Sequence, residues 1–194
     1  MGDPTTGKTW SVPGFSSDFQ SNFFSLLGLP VAYAVDSARL EHGYRELQTR
    51  VHPDRFAASP EAERRVAMQW ATRANEAYRT LRDPIERARY LLGLKGYDTG
   101  EESNTAMPPD FLMQQMEWRE SVAEASAARD AAELRRLHGE IAVDRRDMLD
   151  LLAKAIDRES NYDAGCSLVR KLRFLDKIDE EIDEALERLE GADR

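Results

Sequence analysis

The sequence predicts an all-α protein of two domains, a helical hairpin domain followed by a three-helix bundle. Three observations predict it. Strand-like alternation is almost absent, whereas apolar residues recur at the helical period along nearly the whole chain. A polar stretch rich in Gly, Pro and Ser, KGYDTGEESNTAMPP at residues 95–109, interrupts that periodicity. Charge differs on its two sides: residues 18–94 hold 11 Lys+Arg against 10 Asp+Glu, and residues 95–194 hold 15 against 25. The expected division is a disordered leader over 1–17, a first domain over 18–94, a linker over 95–109 and a bundle over 110–194.

The elements follow in order. A short helix over 18–27 is closed by Gly28 and Pro30. Asp36 is a good N-cap for a second helix, about 36–51, whose Leu40, Tyr44, Leu47 and Val51 share one face. Pro53 stops it. Ser59-Pro60 reads as an N-cap followed by proline at the first helical position. The third helix then runs to about Leu81, with Ala67, Trp70, Ala71, Ala74, Ala77, Tyr78 and Leu81 in one stripe. Its alanines allow a neighbouring helix to come close. Asp83-Pro84 ends it and starts a fourth, through Leu92. Three long helices are expected beyond the linker, about 110–127, 130–158 and 161–190. The last two carry the seams Leu134, Leu137, Ile141, Met148, Leu152 and Leu168, Leu172, Leu175, Ile182, Leu186, Leu189.

Composition excludes several classes of function. The net charge of −9 leaves no basic nucleic-acid footprint. No apolar run approaches the roughly 18–20 residues of a membrane span, so a soluble protein is expected. Cys166 is the one cysteine, so no disulfide framework forms within a chain, and it reads as a buried thiol. His42, His52 and His138 are scattered singly, and neither a metal site nor a cofactor is expected. His138 reads as structural or surface, His42 as solvated, and the acidic stretch 179–190 as a solvated face backing a seam.

Residues 2–9, GDPTTGKT, match a phosphate-binding loop. Such a loop follows a buried strand and opens a helix, so that backbone N–H groups and the helix dipole cradle the phosphates. One residue precedes this match, and Trp10 to Gly14 after it read as loop. The match is therefore read as chance, and nucleotide hydrolysis by this chain is not expected. Residues 1–17 have neither an apolar signal core nor the arginines of a transit peptide, and a cytoplasmic location is expected.

Two constellations stand out. RVHPDRF, residues 50–56, sets His52, Pro53 and Asp54 at a helix end, stiffened by proline and flanked by Arg50 and Arg55. His52 and Asp54 are an acid–base pair in principle, but no nucleophile, metal ligand or oxyanion device accompanies them, and turn chemistry alone explains the tripeptide equally well. The fifth helix is richer in apolar residues than one buried face needs. Phe111, Trp118, Val122 and Ala125 form a core stripe, while Leu112, Met113 and Met116 form a second stripe bordered by Glu117, Glu120 and Glu124. The second stripe is either packed on the other domain or a partner surface, for which adaptable methionines are suited. Phe174, about 120° off the last helix's seam, is likewise an interdomain filler or an exposed anchor.

An amphipathic helix, then HPD, then a helix ending ANEAYRTLRDP (74–84), resembles the J-domain of the DnaJ family. FFSLLGLP (23–30), RARYLLGLKGYD (87–98), FLMQQMEWRE (111–120) and VRKLRFLDK (169–177) narrow the resemblance to the HscB family of iron–sulfur assembly co-chaperones. The resemblance implies a non-enzymatic protein whose J-domain binds a DnaK-type chaperone, usually HscA, and stimulates its ATPase. By position, His52, Pro53 and Asp54 would stimulate, with Arg45, Arg50 and Arg55 docking an acidic chaperone surface. Glu41 and Glu46 interrupt the basic face that general J-domains carry, which favours a dedicated chaperone over a general one such as DnaK. The second domain would bind the scaffold IscU through Leu112, Met113, Met116 and Phe174, with Glu117, Glu120 and Glu124 adding polar contacts. Fully burying such side chains contributes on the order of 1.5–3 kcal/mol each. Association costs remove much of this, leaving an expected affinity near micromolar, about −8 kcal/mol. A monomer or weak homodimer without nucleic-acid or membrane partners is implied, and a general DnaK co-chaperone is the alternative.

Overall fold

The computed structural model describes residues 21–100 and 108–192, and every regular element among them is helical. The leader and its GDPTTGKT match lie outside the described residues. α1 is Phe23–Leu26, later than the helix expected from residue 18; residues 18–20 lie outside those described. Asn22 sets its start, because its side-chain oxygen accepts the Ser25 N–H at 2.9 Å. Gly28, at φ +69, turns the chain out of it.

α2 is Ser37–Val51, and Asp36 caps it by accepting from the Ala38 and Arg39 N–H groups at 2.8 and 3.0 Å. α3 is Glu61–Arg82. Here Pro60, not Ser59, occupies the cap position, and no side chain caps the helix. The Pro60 carbonyl instead accepts from Glu63 and Arg64 N–H at 2.9 and 3.1 Å.

α2 and α3 form the expected hairpin. Leu40, Leu47 and Val51 meet the line Ala67, Trp70, Ala74, Ala77, Leu81, all buried. A polar ladder runs up the same junction. The Tyr78 hydroxyl donates to Glu41 at 2.7 Å, the Tyr44 hydroxyl donates to Asn75 Oδ1 at 2.8 Å, and Gln48 Nε2 donates to Asn75 Oδ1 at 2.8 Å. Because partners on α3 fall in number as those on α2 rise, the helices are antiparallel. Tyr44, expected in the apolar stripe, is thus half-buried at its rim with its hydroxyl bonded. Ala71 and Tyr78 are also only partly buried.

α4 is Pro84–Leu94, and Asp83 caps it by accepting from Ile85 and Glu86 N–H at 2.8 Å each. The chain divides into two compact units between Arg87 and Ala88, inside α4 rather than within 95–109. The reason is packing. Leu92 lies against Gly165 so closely that a Cβ there would come to 3.3 Å of a Leu92 methyl. Beyond α4, the Thr99 carbonyl accepts from Arg170 Nη1 at 2.7 Å, and the Tyr97 and Tyr162 rings meet at 5.2 Å. The first part of the expected linker is therefore packed on the second unit.

α5 is Pro109–Ala127 and α6 is Ala131–Ala153, capped by Asp130. A π turn, Lys154–Arg158, replaces the expected last turn of α6, and α7 is Tyr162–Ala192. The three long helices pack on one another around Phe111, Trp118, Leu134, Leu137, Ile141, Leu175, Ile178 and Ile182. The expected α7 seam needs correction. Leu168 is only partly buried, and the inward line runs Val169, Leu172, Leu175, Ile178, Ile182, Ala185. Met148, Leu186 and Leu189 pack at its edge. Polar pairs cross between α6 and α7: His138 Nε2 to Asp179 at 3.2 Å and Arg145 Nε to Asp176 at 3.0 Å. Burial pushes the Asp179 carboxyl up despite the nearby His138. Cys166 is buried, which pushes its thiol up.

Candidate functional site

The first candidate site is the corner that ends α2. Val51 is buried and anchors the last turn, while His52 leaves the helix with extended φ −60 and ψ 130. Pro53 then opens a 3₁₀ turn, Pro53–Phe56. The turn is stitched locally. His52 Nδ1 accepts the Asp54 N–H at 3.3 Å, and Arg55 Nη1 donates to the Thr49 carbonyl at 3.0 Å. The second bond satisfies one of the carbonyls that every helix end leaves unpaired. His52 and Asp54 point outward, their side chains 55% and 90% exposed. Arg50 and Arg55 are exposed beside them.

Arg45 is differently placed. Its Nε and Nη2 bond Glu41 Oε1 at 3.0 and 2.8 Å, and Glu41 Oε2 takes the Tyr78 hydroxyl. The Tyr78 bond, followed by Arg45, holds the Glu41 carboxyl below the usual glutamate range. Glu46 Oε1 lies in a loose pair with His42 Nε2 at 3.7 Å. Sequence reasoning saw Glu41 as an interruption of positive charge; its tie to Tyr78 joins residues 37 apart and has no local signal.

The second candidate site is on α5. Phe111, Trp118, Val122 and Ala125 face the core, as the periodicity predicts. Leu112, Met113 and Met116 are 42%, 58% and 72% exposed, so the second apolar stripe is uncovered. Glu117, Glu120 and Glu124 are exposed on the same helix. Phe174 meets α5 from α7. Its ring meets Phe111 edge-on at 5.9 Å and lies under the Arg119 guanidinium at 5.2 Å. Phe174 is therefore half-buried and seated against the bundle core. Arg119 also pairs with Glu181 at 3.7 Å, and Lys171 lies over the Phe111 ring at 5.0 Å. Neither cation was singled out from sequence, since each meets its ring only once α5 and α7 are packed.

Among the described residues no group of His, Cys, Asp or Glu could hold a metal ion, and no helix is long and apolar enough to cross a membrane.

The chain is 51% identical over 175 residues to the co-chaperone protein HscB homolog of Aromatoleum aromaticum, spanning 90% of this chain and 99% of that one. It belongs to the HscB co-chaperone family. Residues 107–183 match the model of the HSCB C-terminal oligomerisation domain. Chaperone HscB from Vibrio cholerae superposes with a TM-score of 0.77 at 36% identity, covering 87% of this chain and 99% of that chain. Human co-chaperone protein HscB superposes with a TM-score of 0.81 at 29% identity, covering 86% and 83%. The HscB fold accounts for the architecture above: an all-α J-domain, with His52 to Asp54 at the end of its hairpin, and a C-terminal helical domain. Both the Aromatoleum and the human proteins are co-chaperones by name.

Proposed function

We propose that this HscB-family chain binds the iron–sulfur scaffold IscU, delivers it to the DnaK-type chaperone HscA in the cytoplasm, and stimulates that chaperone's ATPase during cluster maturation. It makes no bond itself and needs no cofactor; the chaperone hydrolyses the ATP. Residues 18–94 act as the J-domain and 110–194 as the scaffold-binding domain. His52, Pro53 and Asp54 engage the chaperone, helped by Arg50 and Arg55, with Arg45 alongside. Leu112, Met113, Met116 and Phe174 hold the scaffold, and Glu117, Glu120 and Glu124 rim the contact.

One observation carries the reading. The α5 stripe of Leu112, Met113 and Met116 is exposed although Phe111 and Trp118 on the same helix are buried. A folded helix with its core face already satisfied has no stability reason to carry a second apolar face, and such a patch marks an interaction surface. A leucine and two methionines exposed on one helix, with carboxylates exposed on the same helix, suit a protein partner bound at moderate affinity. The protein acts as a monomer or weak homodimer.

The test is titration of the HscA ATPase with this protein, with and without IscU. Stimulation by the protein alone, increased further when IscU is present, is expected. No stimulation in either arm overturns the reading. Stimulation of DnaK but not HscA, with no effect of IscU, would replace it with a general J-domain co-chaperone.

A further inference from the structure

α2 carries Arg39, Arg45 and Arg50, with Arg55 just past its end, and two carboxylates, Glu41 on the Arg45 side of the helix and Glu46 on the side of Arg39 and Arg50. The two carboxylates are held very differently. Glu46 and His42 form a loose 3.7 Å pair with both side chains largely in water. Glu41 is fixed at both oxygens: Oε1 accepts from Arg45 Nε at 3.0 Å, and Oε2 accepts from the Tyr78 hydroxyl at 2.7 Å. Tyr78 is itself immobilised, stacked on Tyr44 at 4.2 Å and 17°, and the Tyr44 hydroxyl is bonded to Asn75 of α3. The carboxylate is thus attached to the hairpin's frame and not to a side chain that swings freely.

We propose that Glu41 is a specificity-determining residue for the choice of chaperone, a fixed negative charge in the second turn of α2 that rejects partners acidic along the whole helix. The inference rests on the chaperone-docking reading above. A carboxylate arriving from such a partner must compete with Glu41 for Arg45 and meets Glu41 at short range. Like charges placed opposite each other suppress the wrong partner, and a rigid anion cannot rotate away to relieve the repulsion. Docking then rests on Arg50, Arg55 and the His52–Asp54 turn more than on Arg45. The partner selected is one with an acidic patch opposite that end and a cation or hydrogen-bond donor opposite Glu41. Discrimination of this kind needs no change in the turn that stimulates hydrolysis.

The experiment uses the full chain and measures the concentration giving half-maximal ATPase stimulation of HscA and of a general chaperone, DnaK. The variants are Glu41→Gln, Tyr78→Phe and, as a control, Glu46→Gln, each checked for an unchanged helical melt. Glu41→Gln should narrow the gap between the two chaperones by about tenfold, mostly by improving DnaK. Tyr78→Phe keeps the charge but loosens it, and should narrow the gap by about threefold. Glu46→Gln should move both chaperones together. If Glu41→Gln shifts both by the same factor, or neither, the specificity role is overturned while the docking reading stands. If the unmodified chain stimulates neither chaperone, both fall.

Discussion

Gly43 of α2 lies so close to the Leu27 carbonyl that a Cβ at position 43 would sit 2.1 Å from its oxygen. Leu27 is the C-cap of α1, and its own N–H is bonded back to Phe23 and Phe24 carbonyls at 3.2 Å each. The obstacle is therefore backbone within a closed turn, not the end of a flexible side chain. Gly43→Ala gains about 1 kcal/mol of helix propensity, but must displace α1 from the hairpin, an overpacking cost of about 1–3 kcal/mol or more. The contact wins. Chemical denaturation should show a less stable protein, and the same substitution at Gly139, which has nothing within 4 Å, should be neutral or stabilising. A Gly43→Ala protein as stable as the parent would mean that α1 does not sit where described.

The Glu41–Tyr78 bond predicts loss of stability at both ends of the pH scale. Glu41 is lowered from 4.5, first by the Tyr78 bond and then by Arg45, so its contribution is complete above 4.5 and lost as pH falls through its lower folded value. Tyr78 is raised from 10.0 by the same bond, so its contribution is complete below 10.0 and lost as pH rises through its higher folded value. Denaturation profiles of Tyr78→Phe should be flatter than the parent's on both limbs. Glu41→Gln should flatten the acid limb. Profiles parallel to the parent's would show that the bond is not maintained in solution.

The four apolar residues proposed to hold IscU should separate into two kinds. Leu112 and Met116 are exposed, so truncating either to alanine should change stability by no more than about 0.5 kcal/mol. Each should nonetheless weaken scaffold binding by about tenfold or more, as central anchors do. Phe174 packs on Phe111 and under Arg119, so Phe174→Ala should weaken binding and also cost about 1–3 kcal/mol of stability. Calorimetric titration with IscU, beside chemical denaturation, reads both effects. Equal stability losses at all four positions would put the α5 stripe inside the fold.

His52→Gln tests the corner alone. The His52 side chain is more than half exposed, and its Nδ1 accepts the Asp54 N–H at 3.3 Å and lies 3.6 Å from Asp54 Oδ2. Stability should move by no more than about 0.5 kcal/mol. IscU binding should be unchanged, while stimulation of the HscA ATPase should disappear at any concentration. Retained stimulation would move the triggering role elsewhere on the hairpin.

Much of this architecture is legible in the chain itself, because helices are written in local terms. Asp36, Asp83 and Asp130 cap as their types predict, and the 3.6-residue period finds Leu40, Leu47, Trp70, Ala74 and the buried face of α5. The same period separates Phe111 from Leu112 and makes the second stripe legible in the sequence. What periodicity could not decide was whether the bundle itself covered that stripe; it is exposed. Nor could it see that Val169 rather than Leu168 faces inward, since a small residue sits in the seam beside a larger one that does not. The division inside α4, the close approach of Gly43 to Leu27, the seat of Phe174 under Arg119 and the clasp of Tyr78 on Glu41 were settled by tertiary structure. Each joins groups distant along the chain, and only packing brings such groups within the few ångströms at which sterics, ring electrostatics and hydrogen bonds act.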